Sequence, residues 1–199
     1  MSEELDIPAT LAKLGTPGVI PLSPVERVLA GHTGTVVLLL SLYFNKPVKV
    51  LVVEQEEIPA GSRPIGSDTS EYNAVGVIHR SVALVAGDWI VAKASTVIPL
   101  AENRFDVLEE IRRRDLGLGH IAVKLGFPTQ RTIICIEATD EELSRTYVMQ
   151  GREHLMSGPG LYYTITETFP RALYGALGPQ LLQERWHSVR QAAGEAGSR

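Results

Sequence analysis

Two charged residues each lie alone on the apolar face of a predicted β-strand. Side chains in a strand alternate between its two faces, so a strand can be divided into two sets by position. One face of residues 75–85 consists of Gly76, Ile78, Arg80, Val82 and Leu84. One face of residues 161–169 consists of Leu161, Tyr163, Ile165, Glu167 and Phe169. A buried charge without a partner costs several kcal/mol, so Arg80 and Glu167 each need a counterpart.

The residues alone leave two interpretations of this pair open. In the structural interpretation, the two strands adjoin and Arg80 forms a buried salt bridge with Glu167. In the functional interpretation, the apolar faces line a pocket in which Arg80 holds a substrate carboxylate with two hydrogen bonds. Glu167 then acts on a different atom of the same ligand. The functional interpretation requires a small anionic ligand.

The elements that must position these residues can be predicted from periodicity and from helix start and stop signals. A first helix begins at Ser23-Pro24-Val25-Glu26, which has the pattern of a capping box with proline at the first helical position. A second helix follows Thr35 and ends near Asn45. A third helix is predicted at about 104–113 and a closing amphipathic helix at about 180–193.

Strands are predicted where β-branched and aromatic residues alternate with polar ones. Their approximate bounds are 48–56, 75–85, 89–98, 131–138, 145–149 and 161–169. The second and third strands flank Ala86-Gly87-Asp88 and form the clearest hairpin. Residues 59–74 have no periodicity and are predicted to form a functional loop. Strands joined mainly by hairpins imply an α+β fold, with an antiparallel sheet and helices packed on one face.

Composition excludes several classes of function. The chain has 199 residues, 19 basic and 23 acidic, and a net charge of -4, so no basic field for nucleic acid is expected. Its single cysteine, Cys135, cannot form an internal disulfide, which favours a reducing compartment. No signal peptide is recognised in residues 1–21, and the apolar run 36–42 is far shorter than a membrane span. A cytoplasmic location without membrane attachment is therefore expected.

Neither a metal nor a cofactor is expected. The histidines show no metal-ligand spacing; they are His32, His79, His120, His154 and His187. His79 alternates to the face opposite Arg80, so packing is its simplest role. Gly117-x-Gly119 lacks the third glycine of a nucleotide loop and is predicted to form a turn that offers its amide. Arg112 to Arg114 are predicted to form a solvated helix end.

At these residues the chain resembles the chorismate lyase family. Three segments support the resemblance, together with Gly34-Thr35-Val36 near the start. They are His79-Arg80-Ser81-Val82 continuing to Ala94–Pro99, then Gly117-Leu118-Gly119-His120, then Ile165-Thr166-Glu167-Thr168-Phe169-Pro170. The similarity spans about 23–174. It implies a six-stranded antiparallel sheet with helices on one side, in a single domain at 23–194. An N-terminal extension at 1–22 precedes this domain and a tail at 195–199 follows it.

The resemblance also implies an activity: elimination of pyruvate from chorismate to leave 4-hydroxybenzoate, without a cofactor. It implies that Arg80 binds a carboxylate, that Glu167 contacts the ring oxygen, and that the backbone amides of Val36 and Leu118 complete the site. Arg145 and Arg63 would assist the second carboxylate. Glu167 could donate a proton to the ether oxygen or accept a hydrogen bond from the ring hydroxyl, and the sequence does not decide between these roles.

Two other functions compete with the lyase. The same fold resembles the effector domains of some bacterial transcription regulators, which suggests a non-catalytic module that binds a small acid. About 22 residues precede the first predicted helix, too few for a helix-turn-helix domain, so such a module would act alone. The second alternative is an enzyme that acts on another small aromatic or cyclic acid. The oligomeric state is not predicted.

Overall fold

The fold is built on one antiparallel sheet of six strands. The structure is a computed structural model that describes residues 21–61, 76–151 and 160–174. The strands are β1 (Val48–Ile58), β2 (Val77–Ala86), β3 (Trp89–Pro99), β4 (Thr129–Ala138), β5 (Glu142–Gly151) and β6 (Leu161–Pro170). Their order across the sheet is β1-β2-β3-β6-β5-β4. This architecture confirms the predicted α+β class with a six-stranded antiparallel sheet.

Short helices connect and cover the strands. They are α1 (Pro24–Gly31), α2 (Val36–Phe44), α3 (Phe105–Arg112), α4 (Leu118–Lys124) and α5 (Arg171–Tyr174), with a 3₁₀ turn at Leu100–Glu102. The predicted capping box is confirmed: Ser23 Oγ accepts a hydrogen bond from the Glu26 amide, and Glu26 accepts one from the Ser23 amide. Helix α2 ends at Asn45, whose left-handed backbone (φ 49°) stops the helix.

The register places Arg80 and Glu167 on the same face but on strands that do not touch. Arg80 of β2 is opposite Thr96 of β3. On its other side, β3 pairs with β6, and there Glu167 is opposite Ala94. On the far edge of β6, Glu167 is opposite Arg145 of β5. Because β3 lies between β2 and β6, the interpretation in which the two strands adjoin is wrong.

The helices pack on the face of the sheet that carries Arg80 and Glu167. Side chains on this face donate hydrogen bonds to backbone oxygens of the helical layer. Arg145 donates to the oxygen of Leu29 at the end of α1, and Gln55 donates to the oxygen of Ile111 in α3. The core between the two layers is aliphatic and aromatic. Its fully buried members include Leu29, Leu40, Ile78, Ile98, Ile111, Ile121, Leu143, Tyr163 and Phe169.

Most predicted elements are present, with different ends. Strand β5 extends from 142 to 151 rather than from 145 to 149. The segment at Gly117-x-Gly119 was predicted as a turn, and this is wrong. Gly117 is the N-cap of α4 and Gly119 lies in its first turn, although glycine disfavours helix. The predicted loop 59–74 is described only to residue 61, and the predicted helix at 180–193 and the tail at 195–199 lie outside the described residues.

None of the helices in the described part of the chain is both long and apolar enough to span a membrane.

Candidate functional site

A cavity of about 190 Å³ lies between the sheet and the helices. This is far more than a single buried water requires. Arg80 of β2 and Glu167 of β6 both line it from the sheet. Val36 and Leu118, the first residues of α2 and α4, line it from the helical side. The structure therefore brings together all four residues that the resemblance assigned to the site.

Most of the remaining wall is apolar, and the sheet supplies much of it. The apolar lining includes Val50, Val82, Leu84, Ala94, Ile165, Val37 and Val123. An apolar wall with a few converging polar groups is typical of a small-molecule site. In such apolar surroundings the electrostatic interaction between a charged side chain and a ligand is strong, because water screens it less than at the surface.

Arg80 is buried, with 1% of its surface exposed, and it has few partners. Its Nη2 donates to the backbone oxygen of Leu116 at 2.6 Å. Its Nε and Nη1 are also buried and have no hydrogen-bond partner within the described residues. Burial lowers the pKa of the guanidinium, an effect that nearby Tyr163 partly offsets, but an arginine side chain stays charged at neutral pH. Arg80 is thus a buried cation, and two of its donor nitrogens are unsatisfied by the described part of the chain.

Glu167, by contrast, has partners on both of its oxygens. Its Oε2 accepts hydrogen bonds from Arg145 Nε at 2.8 Å and from Arg145 Nη2 at 2.6 Å. Its Oε1 accepts a hydrogen bond from the Tyr147 hydroxyl at 3.0 Å. The structural interpretation, a salt bridge between Arg80 and Glu167, is wrong, because Glu167 pairs with Arg145 on the neighbouring strand β5. As predicted, Glu167 is the only charged residue on this face of β6. The neighbouring strand β5, however, carries Arg145 on the same face of the sheet.

Arg145 joins Glu167 to the loop that precedes α2. Its Nη1 donates to the backbone oxygens of Leu29, at 2.6 Å, and His32. All three nitrogens of its guanidinium therefore donate to acceptors in the protein. Arg145 is not among the described residues that line the cavity, so the structure does not support the expectation that it assists a second substrate carboxylate. Arg63, named in the same expectation, lies outside the described residues.

Further polar side chains line the cavity, including three that can donate a hydrogen bond or carry a charge. Tyr147 of β5, Arg131 of β4 and His120 of α4 all line it. Burial, and to a lesser degree the charge of Glu167, raises the pKa of Tyr147, so its hydroxyl is a neutral donor. His79 does not line the cavity, in agreement with its predicted position opposite Arg80.

Sequence reasoning missed Tyr147 and Arg131. The signal for Tyr147 was present, because Leu143, Arg145, Tyr147 and Met149 alternate on one face of β5 just as the residues of β2 and β6 do. The predicted strand was too short for the pattern to be recognised. Arg131 lay at the predicted start of its strand, where a basic residue has no distinguishing neighbours.

No family model matches the chain, and neither does any curated protein. Among solved structures, the chain is similar to PhnF from Mycobacterium smegmatis. The two are 11% identical, with a TM-score of 0.47, and the match covers 70% of this chain and 65% of that chain. The match thus spans less than two thirds of the PhnF chain. A likeness this distant leaves the function to be inferred from the site itself.

Proposed function

We propose that the protein is a chorismate lyase, which eliminates pyruvate from chorismate to leave 4-hydroxybenzoate. One observation supports this most strongly: Arg80, a buried guanidinium with two unpartnered nitrogens, lines the same cavity as the buried carboxylate Glu167. A ligand that satisfies both must have an anionic group at one end and a polar oxygen some distance away. The order of motifs that resembles the chorismate lyase family supports the same ligand.

Arg80 would bind the ring carboxylate. Nε and one Nη of a guanidinium form the fork that holds a carboxylate through two hydrogen bonds. In Arg80 that Nη is Nη2, which already donates to Leu116, so the ring carboxylate would accept a hydrogen bond from Nε or from Nη1, the two nitrogens without partners among the described residues. The anchor on Leu116 fixes the plane of the guanidinium before the ligand enters. Positioning of this kind lowers the entropic cost of reaching the reactive geometry.

Glu167 would accept a hydrogen bond from the ring hydroxyl. Its two oxygens already accept three hydrogen bonds from Arg145 and Tyr147, a pattern that suits an ionised acceptor rather than a proton donor. The carboxylate keeps acceptor capacity on Oε1, the oxygen bonded only to Tyr147. We therefore favour the orienting role over the role of general acid for Glu167.

The elimination requires few further groups from the protein. The bond between the ring carbon and the ether oxygen breaks, and the neighbouring ring carbon loses a proton. The electron pair released from that C–H bond completes the aromatic ring, while the departing enolpyruvate takes up a proton to become pyruvate. Aromatisation makes the step strongly favourable.

Val36 and Leu118 supply first-turn amides, which have no partner within their helices and are available to ligand oxygens.

A non-catalytic module that binds a small acid is the second candidate. The specific observation that favours it is the set of contacts around Glu167, which fully account for this residue as a structural element of the core. Under that alternative, the cavity binds 4-hydroxybenzoate or a related acid through Arg80, and chorismate is not converted.

Incubation of the purified protein with chorismate, with 4-hydroxybenzoate and pyruvate quantified over time, separates the two candidates. The lyase predicts equal amounts of both products above the uncatalysed background, in excess EDTA and without added nucleotide or flavin. Arg80→Met is the control, and it should abolish the enzymatic part. Binding of 4-hydroxybenzoate without turnover of chorismate would establish the binding module instead.

In the same assay, Glu167→Gln and Glu167→Ala separate orientation from proton transfer. Gln keeps the shape of the side chain and one acceptor oxygen but cannot exchange a proton near neutral pH. Both variants remove the charge that pairs with Arg145, so the free energy of unfolding of each is measured beside the rate. In the folded protein we expect Gln to lose less of the rate than Ala, because Gln keeps an acceptor oxygen. Equal losses in both variants, on the order of 10²- to 10⁴-fold, would show that Glu167 transfers a proton.

A further inference from the structure

A second guanidinium in the cavity has no acidic partner among the residues that the structure describes. The charged side chains among the described lining residues are Arg80, Arg131 and Glu167. The charge of Glu167 is matched by Arg145 behind it. Neither Arg80 nor Arg131 forms an ion pair with any residue that the structure describes. The cavity therefore holds two positive charges that an occupant could neutralise.

The two guanidiniums come from opposite ends of the site. Arg80 is on β2 and Arg131 is on β4, four strand spacings apart, so their backbones are separated by about 19 Å. Glu167 is on β6, midway between them. Arg131 is opposite Met149 in the pairing of β4 with β5, which places it on the cavity face. Both long side chains reach inward from the ends, while the carboxylate lies between them.

Arg131 is held in place and keeps one nitrogen available. Its Nη1 donates to the backbone oxygen of Thr33 at 2.8 Å, and its Nε approaches the sulfur of Met149 at 3.4 Å. Its Nη2 is directed toward α4, 3.7 Å from the point where a Cβ on Gly119 would lie. A larger residue at position 119 would narrow the space beside this nitrogen.

We propose that Arg131 binds a second carboxylate, so that the cavity selects dianionic ligands with an anionic group at each end and a polar oxygen between them. This proposal rests on the proposed function and deepens it. In chorismate the ring carboxylate would bind Arg80, the hydroxyl would face Glu167, and the carboxylate of the enolpyruvyl group would bind Arg131. The product 4-hydroxybenzoate has lost that second carboxylate, so Arg131 distinguishes substrate from product.

Two stable ligands test this proposal without turnover. 3-(Carboxymethoxy)benzoate has a ring carboxylate and a second carboxylate beyond an ether oxygen, while 3-ethoxybenzoate keeps the ring and the ether but has one carboxylate. Their dissociation constants are measured by isothermal titration calorimetry for wild type, Arg131→Gln, Arg131→Lys and Arg113→Gln. Arg113 is a matched control, because it lies at the exposed end of α3 and its loss changes the net charge equally.

For the wild type we expect the dianion to bind about 10- to 100-fold more tightly than the monoanion, the range for a hydrogen bond to a charged group. Arg131→Gln should abolish this preference and leave the affinity for 3-ethoxybenzoate within about threefold. Arg131→Lys should keep part of the preference, because Lys retains the charge but not the planar fork. Arg113→Gln should change neither affinity.

The outcomes distinguish this proposal from the proposed function. A preference for the dianion that survives in Arg131→Gln would overturn the role of Arg131. Equal weakening of both ligands would also overturn it, because it would show that Arg131 acts only by anchoring the loop at Thr33. If the wild type binds the monoanion and shows no preference for the dianion, this proposal alone fails. If the wild type binds neither ligand, the proposed function fails with it.

Discussion

Arg80 and Arg145 are buried to the same degree on the same face of one sheet, but the protein provides them with different partners. Arg145, with 2% of its surface exposed, has a carboxylate, a backbone oxygen at the end of α1 and another in the following loop. Arg80, with 1% exposed, has one backbone oxygen. The difference separates an arginine on β5 whose charge is matched by Glu167 from an arginine on β2 whose Nε and Nη1 have no partner among the described residues.

The comparison shows which groups offset the free-energy cost of burying each guanidinium. Both guanidiniums lose their hydration, and for Arg145 the ion pair and hydrogen bonds compensate for that loss within the folded chain. For Arg80 the compensation is incomplete until a ligand supplies an anion. A stability measurement should therefore respond strongly to Arg145, and a binding measurement should respond strongly to Arg80.

The largest expected effect on stability is that of Arg145→Met. Removing this side chain leaves Glu167 as a buried charge without its cation, which costs about 3–5 kcal/mol of the free energy of unfolding. Urea denaturation of wild type and variant measures the difference. The double variant Arg145→Met with Glu167→Leu is the control and should recover part of the loss. An unchanged free energy of unfolding in the single variant would remove the distinction between the two arginines.

For Arg80→Met the expected change in stability is much smaller, within about 1 kcal/mol of wild type. Replacing a poorly partnered buried charge with an apolar chain of similar length is favourable, whereas leaving the Leu116 oxygen without a donor is unfavourable, and the two effects are of similar size. The same urea denaturation, performed without ligand, measures it. A loss as large as that of Arg145→Met would assign Arg80 a structural role.

The smallest effect is expected at the surface, where Glu57 of β1 accepts two hydrogen bonds from Arg112 of α3, both at 2.9 Å. Both side chains are more than a third exposed, so solvent screens the pair, and Glu57→Gln should cost less than about 1 kcal/mol at pH 7. This pair is the exposed counterpart of the buried pair between Arg145 and Glu167.

The small contribution of this surface pair should depend on pH. The hydrogen bonds from Arg112 hold the pKa of Glu57 below its usual value, although partial burial opposes the shift. The stabilisation is therefore present above the unfolded pKa, roughly 4.3, and is lost as the pH falls through the lower folded pKa. Free energies of unfolding of wild type and Glu57→Gln should converge in that range. A difference that grows as the pH falls would contradict this account.

The alternation of side chains along the sequence is sufficient to identify the cavity face. Arg80 and Glu167 are recognisable because each is the only charge on an apolar strand face, and a buried charge is conspicuous in a short window of sequence. The capping box at Ser23 and the end of α2 at Asn45 are predictable for a similar reason, since both depend on neighbouring residues.

The partners of these residues are not predictable in the same way. Glu167 pairs with Arg145, 22 residues away in the chain, because β5 adjoins β6 and β3 separates β6 from β2. Strand order is a property of the whole fold, so no local pattern contains it. The same holds for Arg131, which reaches the cavity only because β4 forms the edge beside β5. Helix α4 was missed because its glycines favour a turn locally, while packing of Ile121 and Ala122 in the core stabilises the helix.

The central claim is that the free donors of Arg80 serve a ligand carboxylate, and the affinity of 4-hydroxybenzoate for wild type and Arg80→Met tests it most directly. Methyl 4-hydroxybenzoate, which lacks the charge, provides the comparison. We predict that Arg80→Met weakens 4-hydroxybenzoate binding by about 10- to 100-fold and changes the affinity for the methyl ester little. Unchanged binding of 4-hydroxybenzoate by a folded Arg80→Met protein would contradict the claim.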